Sequence, residues 1–140
     1  MRSKLRRSIW FFFAIFAGVG LSFVPFFADA ASAFSTPGRT EGIGTRFVIT
    51  DSRYYNVALT SSEAIEAMVE SAPRMVSFIL EASKVKAATA LTLEGLAPNT
   101  KYWKYQDSYR TGSAFVTNRN GVLRWSQDIS QPHHIWIQEK

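Results

Sequence analysis

The chain has 140 residues, no cysteine and a formal net charge of +5, from 16 Lys and Arg against 11 Asp and Glu. That length holds one core of ordinary size, and the lack of cysteine excludes a disulfide framework, a thiolate zinc site, a cysteine nucleophile and a lipid-modified cysteine anchor. The charge is uneven: residues 1–33 carry Arg2, Lys4, Arg6 and Arg7 against Asp29 alone, so removing four of the sixteen basic and one of the eleven acidic residues leaves +2, too little to point to nucleic acid.

Residues 1–7 are cationic, and Ile9 to Phe27 form an apolar run interrupted only by Gly18, Gly20, Ser22 and Pro25. Small residues follow in two Ala-x-Ala registers, Ala28-Asp29-Ala30 and Ala31-Ser32-Ala33. This pattern reads as an export signal over 1–33, cut after Ala30 or after Ala33. The alternative is an uncleaved anchor, since about 20 apolar residues span a bilayer. Either outcome puts the rest of the chain outside the cytoplasm, secreted or at the cell surface. Residues 34–45, rich in Gly, Ser, Thr and Pro, are expected to form a flexible leader, and the folded domain to occupy 46–140.

Within that domain Phe47, Val48 and Ile49 suggest a short first strand. Tyr55, Val57 and Leu59 alternate in a second, over Tyr54 to Thr60. Ser61 to Ser71 has helix-forming residues, but Ile65, Ala67 and Val69 also alternate, and strands on either side favour a third strand. After Pro73, Arg74 to Ala82 is apolar on both faces, as expected of a central strand covered on both sides. Leu91 to Glu94 alternates and is broken by Gly95; Pro98 and Asn99 make a corner, and a further strand opens at Lys101. Ser113 to Thr117 and Val122 to Gln127 flank Asn118-Arg119-Asn120-Gly121, a hairpin turn in which Asn120 and Gly121 accept positive φ. His133 to Gln138 closes the chain, with Ile135 and Ile137 on one face and His134 and Trp136 on the other. Seven or eight strands spaced by roughly 8 to 12 residues predict an all-β fold, an antiparallel two-sheet sandwich.

The stretch Leu91 to Tyr109, LTLEGLAPNTKYWKYQDSY, adds a resemblance. Leu96, Pro98, Thr100 and Tyr102 have the spacing of the corner that resembles fibronectin type III domains. The resemblance implies an immunoglobulin-like sandwich in which the Tyr102 ring fills one end of the core and its hydroxyl bonds the backbone a few residues upstream. The longer span Leu91 to Gln138 is similar to a module of exported bacterial and archaeal proteins that precedes a larger extracellular region, often a right-handed parallel β-helix. That resemblance implies no catalytic residues. It also implies that the chain is a fragment or a stand-alone copy of such a module. One departure stands out: after Tyr102 the inward offsets fall on Lys104 and Gln106, so either a bulge shifts the register or the strand pairs differently.

Few residues carry a chemical signature. His133 and His134 are neighbours on a strand and point to opposite faces, so they cannot share an ion; both are expected to be partly exposed, with no metal and no cofactor. No G-x-S-x-G elbow occurs. Gly112-Ser113, Asp128 and His134 supply only the residue types of a triad, and an enzyme would require a cleft in which His134 approaches an acidic or hydroxyl side chain. No catalysis is expected. Trp103, Tyr105, Tyr109, Trp125 and Trp136 are either core or a platform for sugar rings. The candidate binding residues are Trp103, Trp125, His134 and Trp136, with Trp136 the ring most expected at the surface. The expected function is that of an exported, non-catalytic structural or adhesive module; the alternative is a module that binds carbohydrate or another cell-surface partner through its tryptophans. Its expected partners are an extracellular polysaccharide or protein, and a downstream domain or second copy paired through the apolar terminal strand IWIQ.

Overall fold

The computed structural model describes residues 34–140; the export signal expected at 1–33 lies outside the described residues. The described chain is all-β. Its strands are β1 (Phe34–Thr36), β2 (Arg39–Ile49), β3 (Val57–Ala72), β4 (Met75–Leu80), β5 (Ala88–Glu94), β6 (Lys101–Gln106), β7 (Gly112–Val116), β8 (Leu123–Asp128) and β9 (His133–Glu139). All pairings are antiparallel, in the order β1-β2-β3-β4-β9-β6-β7, with β5 joined to β3 and β8 to β5. The sheet curls until it is nearly barrel-shaped.

The curl originates in β3. Its first part, Ala58 to Ser61, pairs with β5, and its second, Ala67 to Ala72, pairs with β4. Between them the β2–β3 register jumps, from Gly44↔Ile65 to Arg46↔Thr60. A bulge of this kind bends both strands and lets one long strand turn from one set of neighbours to another. Thr89 stitches the bend: its hydroxyl lies 2.6 Å from Ser61 Oγ and accepts the Glu63 N–H at 3.2 Å. Alternation survives the jump, and Val57, Leu59, Ile65, Ala67 and Val69 all face inward. They meet Val76, Phe78, Leu80, Leu91, Leu93, Ile135 and Ile137 in one core, where each large aliphatic side chain contributes roughly 1.5–3 kcal/mol by burial.

Several expectations change. Residues 34–45 are not a flexible leader: β1 and most of β2 occupy them, joined by a turn at Pro37 and Gly38. Their Gly- and Thr-rich composition is weak strand material, but β3 is long enough to template it from Arg39↔Glu70 to Gly44↔Ile65. The segments read separately as Tyr54–Thr60 and Ser61–Ser71 form one strand beginning at Val57. The terminal strand has no open edge, because β9 is hydrogen-bonded to β4 on one side and β6 on the other. Pairing with a second copy through IWIQ is therefore blocked. At the sheet's ends lie β1, β7 and β8.

The corner is tied from both sides. Tyr102 is 1% exposed, and its hydroxyl accepts the N–H of Ala97 at 3.0 Å. Thr117 Oγ1 donates to the Ala97 carbonyl at 2.5 Å and accepts the Thr100 N–H at 3.0 Å. The Thr100 hydroxyl donates to the Pro98 carbonyl, and Leu96 is buried. Asn99 adopts φ +49, while the Leu96 and Asn99 N–H groups reach the carbonyls of Gly121 and Asn118. Gly121 has φ +70, and a Cβ there would collide with the Leu96 carbonyl, so two chain segments can cross only because it is glycine. Asn120 does not take positive φ; instead Asn118 Oδ1 caps the turn by accepting the N–H groups of Asn120 and Val122.

Candidate functional site

Cross-strand register places a row of rings on the outer face of β9 and β6. Trp136 is opposite Tyr105, and Gln138 is opposite Trp103, while the inward partners Ile137 and Ile135 face Lys104 and Gln106. Trp103 and Tyr105 lie 6.4 Å apart, Tyr105 and Tyr109 5.2 Å, and Tyr109 and Trp136 4.5 Å between ring centroids. His134 extends the row, 4.0 Å from Trp136. Gly112 on β7 makes room for it, since a Cβ there would press into the Tyr105 ring. Trp103, Tyr105 and Trp136 are half-buried, and Tyr109, in the β6–β7 loop, is 55% exposed. Trp136 is thus held between the Tyr109 and His134 rings, and the most open ring of the row is Tyr109.

One end of the row is cationic. Lys101 Nζ lies 5.5 Å and Lys140 Nζ 5.9 Å from the Trp103 ring centroid, within cation–π range. Beside them an open groove of about 520 Å³ runs over Trp103 and Tyr105, walled by Arg74, Gln138 and Glu139. Arg74 sits in the two-residue turn between Ala72 and Met75 with φ +58. A left-handed conformation costs a side-chain-bearing residue about 1–2 kcal/mol, and glycine is the residue that avoids it. Glu139 accepts a hydrogen bond from the Tyr55 hydroxyl at 2.9 Å. Burial first, and then the Glu139 bond, push the Tyr55 phenol well above its ordinary pKa.

A second polar cluster closes the other end of the core. His133 is 4% exposed, with Nδ1 2.6 Å from Asp107 Oδ2 and 3.0 Å from Gln106 Nε2. Gln127 Nε2 donates to Gln106 Oε1 at 3.3 Å, and Trp125 Nε1 donates to Gln127 Oε1 at 3.0 Å. His133 Nε2 has no hydrogen-bond partner among the described residues, and Asp128 Oδ2 stands 3.6 Å from it. Asp107 turns with φ +55 so that Oδ1 accepts the His134 N–H at 2.8 Å while Oδ2 meets His133. Partial burial raises the Asp107 carboxyl pKa, but the His134 N–H and then the His133 ring outweigh it and hold it below the usual range. His133 is therefore a buried tie between two carboxylates, and the expectation that it is partly exposed is corrected. Its position follows from strand parity, since it shares an inward face with Ile135 and Ile137.

His134 meets a hydroxyl, as its Nε2 is 2.9 Å from Ser77 Oγ on β4. Serine and histidine are the residue types of a nucleophile and a base, and the surroundings of this pair are those of a sheet face. Asp107 holds the His134 backbone rather than its ring, and Ser77 is on a strand paired on both sides, so its neighbouring N–H groups serve the ladder and not an oxyanion. It lies on an open face.

Of the residues proposed from sequence, Trp103, His134 and Trp136 come together on the outer face, and Trp125 does not. Trp125 points inward from β8, 6.2 Å from Phe78, with Lys104 Nζ 5.6 Å from its ring. Lys104 and Gln106 do occupy inward positions, and the β6 ladder carries no bulge there. The inward offset of Gln106 and the parity of His133 with Ile135 and Ile137 were the sequence signals for the His133 cluster. Ser77, Arg74, Lys101 and Lys140 had no signal, because each is unremarkable until the fold brings it to a ring. Among the described residues no group of three or more His, Cys, Asp or Glu is arranged to hold a metal ion, and no helix is long and apolar enough to cross a membrane. Compared with protein-family models, curated proteins and solved structures, the chain matches none.

Proposed function

We propose that this chain is an exported, non-catalytic β-sandwich module, related to fibronectin type III domains, that adheres to polysaccharide through the face carrying Trp103, Tyr105, Tyr109 and Trp136. The observation that carries the reading is the unbroken row of ring contacts across β6, the β6–β7 loop and β9. Sugar rings present faces of C–H groups, and the electron-rich face of an aromatic ring attracts them. Gln138 and His134 flank the row with hydrogen-bonding groups suited to the hydroxyl edges. The fold assignment is supported by the Tyr102–Ala97 bond and by the partner exchange along β3, which would divide the strands into two facing layers. Secretion or cell-surface display is supported by the sequence of residues 1–33.

Intrinsic tryptophan fluorescence of residues 34–140, titrated with a panel of neutral and acidic polysaccharides, tests the reading. At least one member should alter the emission, and Trp103→Ala and Tyr109→Ala should each weaken that binding about tenfold, the equivalent of ~1.4 kcal/mol. Silence across the whole panel would remove the proposal.

A further inference from the structure

Resting on that reading, we infer that the bound polysaccharide carries a carboxylate, a uronic acid residue seated at Trp103, with neutral sugars along Tyr105 and Tyr109. Lys101 at the start of β6 and Lys140 just after β9 both stand over Trp103, and Arg74, from the β3–β4 turn, lines the groove beside that ring together with Lys140. Among the described residues none of the three takes part in a salt bridge, whereas Arg39 and Lys86 each find a carboxylate of their own. Glu139, the acid on the groove wall, accepts the Tyr55 hydroxyl and forms no salt bridge with any of the three. Three cations thus share this corner with one carboxylate, the local balance stays positive, and an anion arriving from outside relieves the remaining repulsion.

The geometry favours a carboxylate on a sugar. A uronic acid whose ring stacks on Trp103 holds its carboxylate at the ring edge, within reach of ammonium groups already standing over the same indole. The Arg74 guanidinium offers the planar fork that a carboxylate accepts at two oxygens. Arg74 also keeps its left-handed backbone where glycine would be less strained, and such strain is retained where the side chain is used. The cations occupy one end of the row only. A nucleic-acid strand, with a phosphate at every unit and bases on every ring, would need them along its length.

Three acid-bearing polysaccharides, hyaluronan, glucuronoxylan and polygalacturonate, are each paired with the same polymer after reduction of its carboxyls to alcohols. Affinities are measured by fluorescence and calorimetry at low and at 0.5 M salt, with oligothymidylate as a separate arm. At low salt at least one acidic polymer should bind about tenfold more tightly than its reduced twin, and the gap should close in Lys101→Ala/Lys140→Ala and at high salt. Arg74→Gly should narrow the gap while leaving the thermal midpoint unchanged or higher. Equal binding of acidic and reduced twins would overturn this inference and leave the stacking reading intact. No binding by any polysaccharide would remove both, as would binding confined to oligothymidylate.

Discussion

Removing one oxygen, in Tyr102→Phe, isolates the bond that closes the corner. The ring stays, so its packing beside Phe115, 6.3 Å away, and the apolar area it buries are unchanged. What is lost is the acceptor for the Ala97 N–H, 3.0 Å from the hydroxyl in a segment whose other polar groups are already paired through Thr117 and Gly121. A backbone donor left unsatisfied in a partly buried site costs about 1–3 kcal/mol. For a domain near 100 residues, 2 kcal/mol corresponds to a fall in the melting midpoint of about 8–16 °C. Urea denaturation of residues 34–140 gives the free energy directly, with an unchanged m-value showing that the unfolded ensemble is not what moved. A loss below about 0.3 kcal/mol would refute the reasoning, since water or a neighbouring hydroxyl would then be replacing the bond at no cost.

Gly121→Ala should be more damaging, by at least about 3 kcal/mol, because the added methyl meets the Leu96 carbonyl and φ is already positive; circular dichroism against urea would show it, and a near-neutral effect would mean that the crossing can open. Lys104→Met should raise the melting midpoint at pH 7: burial on the inward face of β6 lowers the lysine pKa, which says that the site disfavours the charge even beside Trp125. Asp107→Asn should flatten acid sensitivity. The Asp107 carboxyl and that of Asp128, which the Ser130 N–H and hydroxyl hold down, titrate below their unfolded values. Their stabilisation is therefore present above about pH 4 and lost as pH falls through the folded values, so the variant's melting midpoint should drop less than wild type between pH 5 and pH 2.5. If the module is non-catalytic as proposed, wild type and His134→Ala should both hydrolyse activated esters at the buffer rate; a wild-type rate above buffer that the substitution abolishes would make the Ser77–His134 pair catalytic.

The corner was legible in the sequence because its parts are local: Gly95, Pro98, Asn99 and Tyr102 lie within eight positions and each acts on the backbone nearby. So were the inward faces of β3 and β9, where alternation assigns Val69 and Ile135 without reference to any partner; β4, expected to be covered on both sides, is buried only on the face of Val76, Phe78 and Leu80. The strand at 39–44 was not legible, since Gly42 and Gly44 extend only because β3 pairs with them. Long-range pairing also decided the fate of the terminal strand, as a run such as IWIQ reads the same at an edge and in the middle of a sheet. Trp125 and Trp136 show the limit for side chains. Parity gives each a face, but which face is outward depends on whether the opposing layer is Phe78 or solvent. The small net charge of the domain likewise concealed a local cluster, because Arg74, Lys101 and Lys140 are far apart in sequence, the lysines meeting only over Trp103 and Arg74 joining them only at the groove beside it.

The most direct measurement is a ¹⁵N-resolved NMR titration of the domain with the tightest polysaccharide found, following the three indole N–H signals. Those of Trp103 and Trp136 should shift together with the backbone of Tyr105 and Tyr109, while that of Trp125, which donates to Gln127 inside the molecule, should stay in place. Movement of Trp125 alone, or of residues confined to other faces of the sheet, would contradict binding on the ring row.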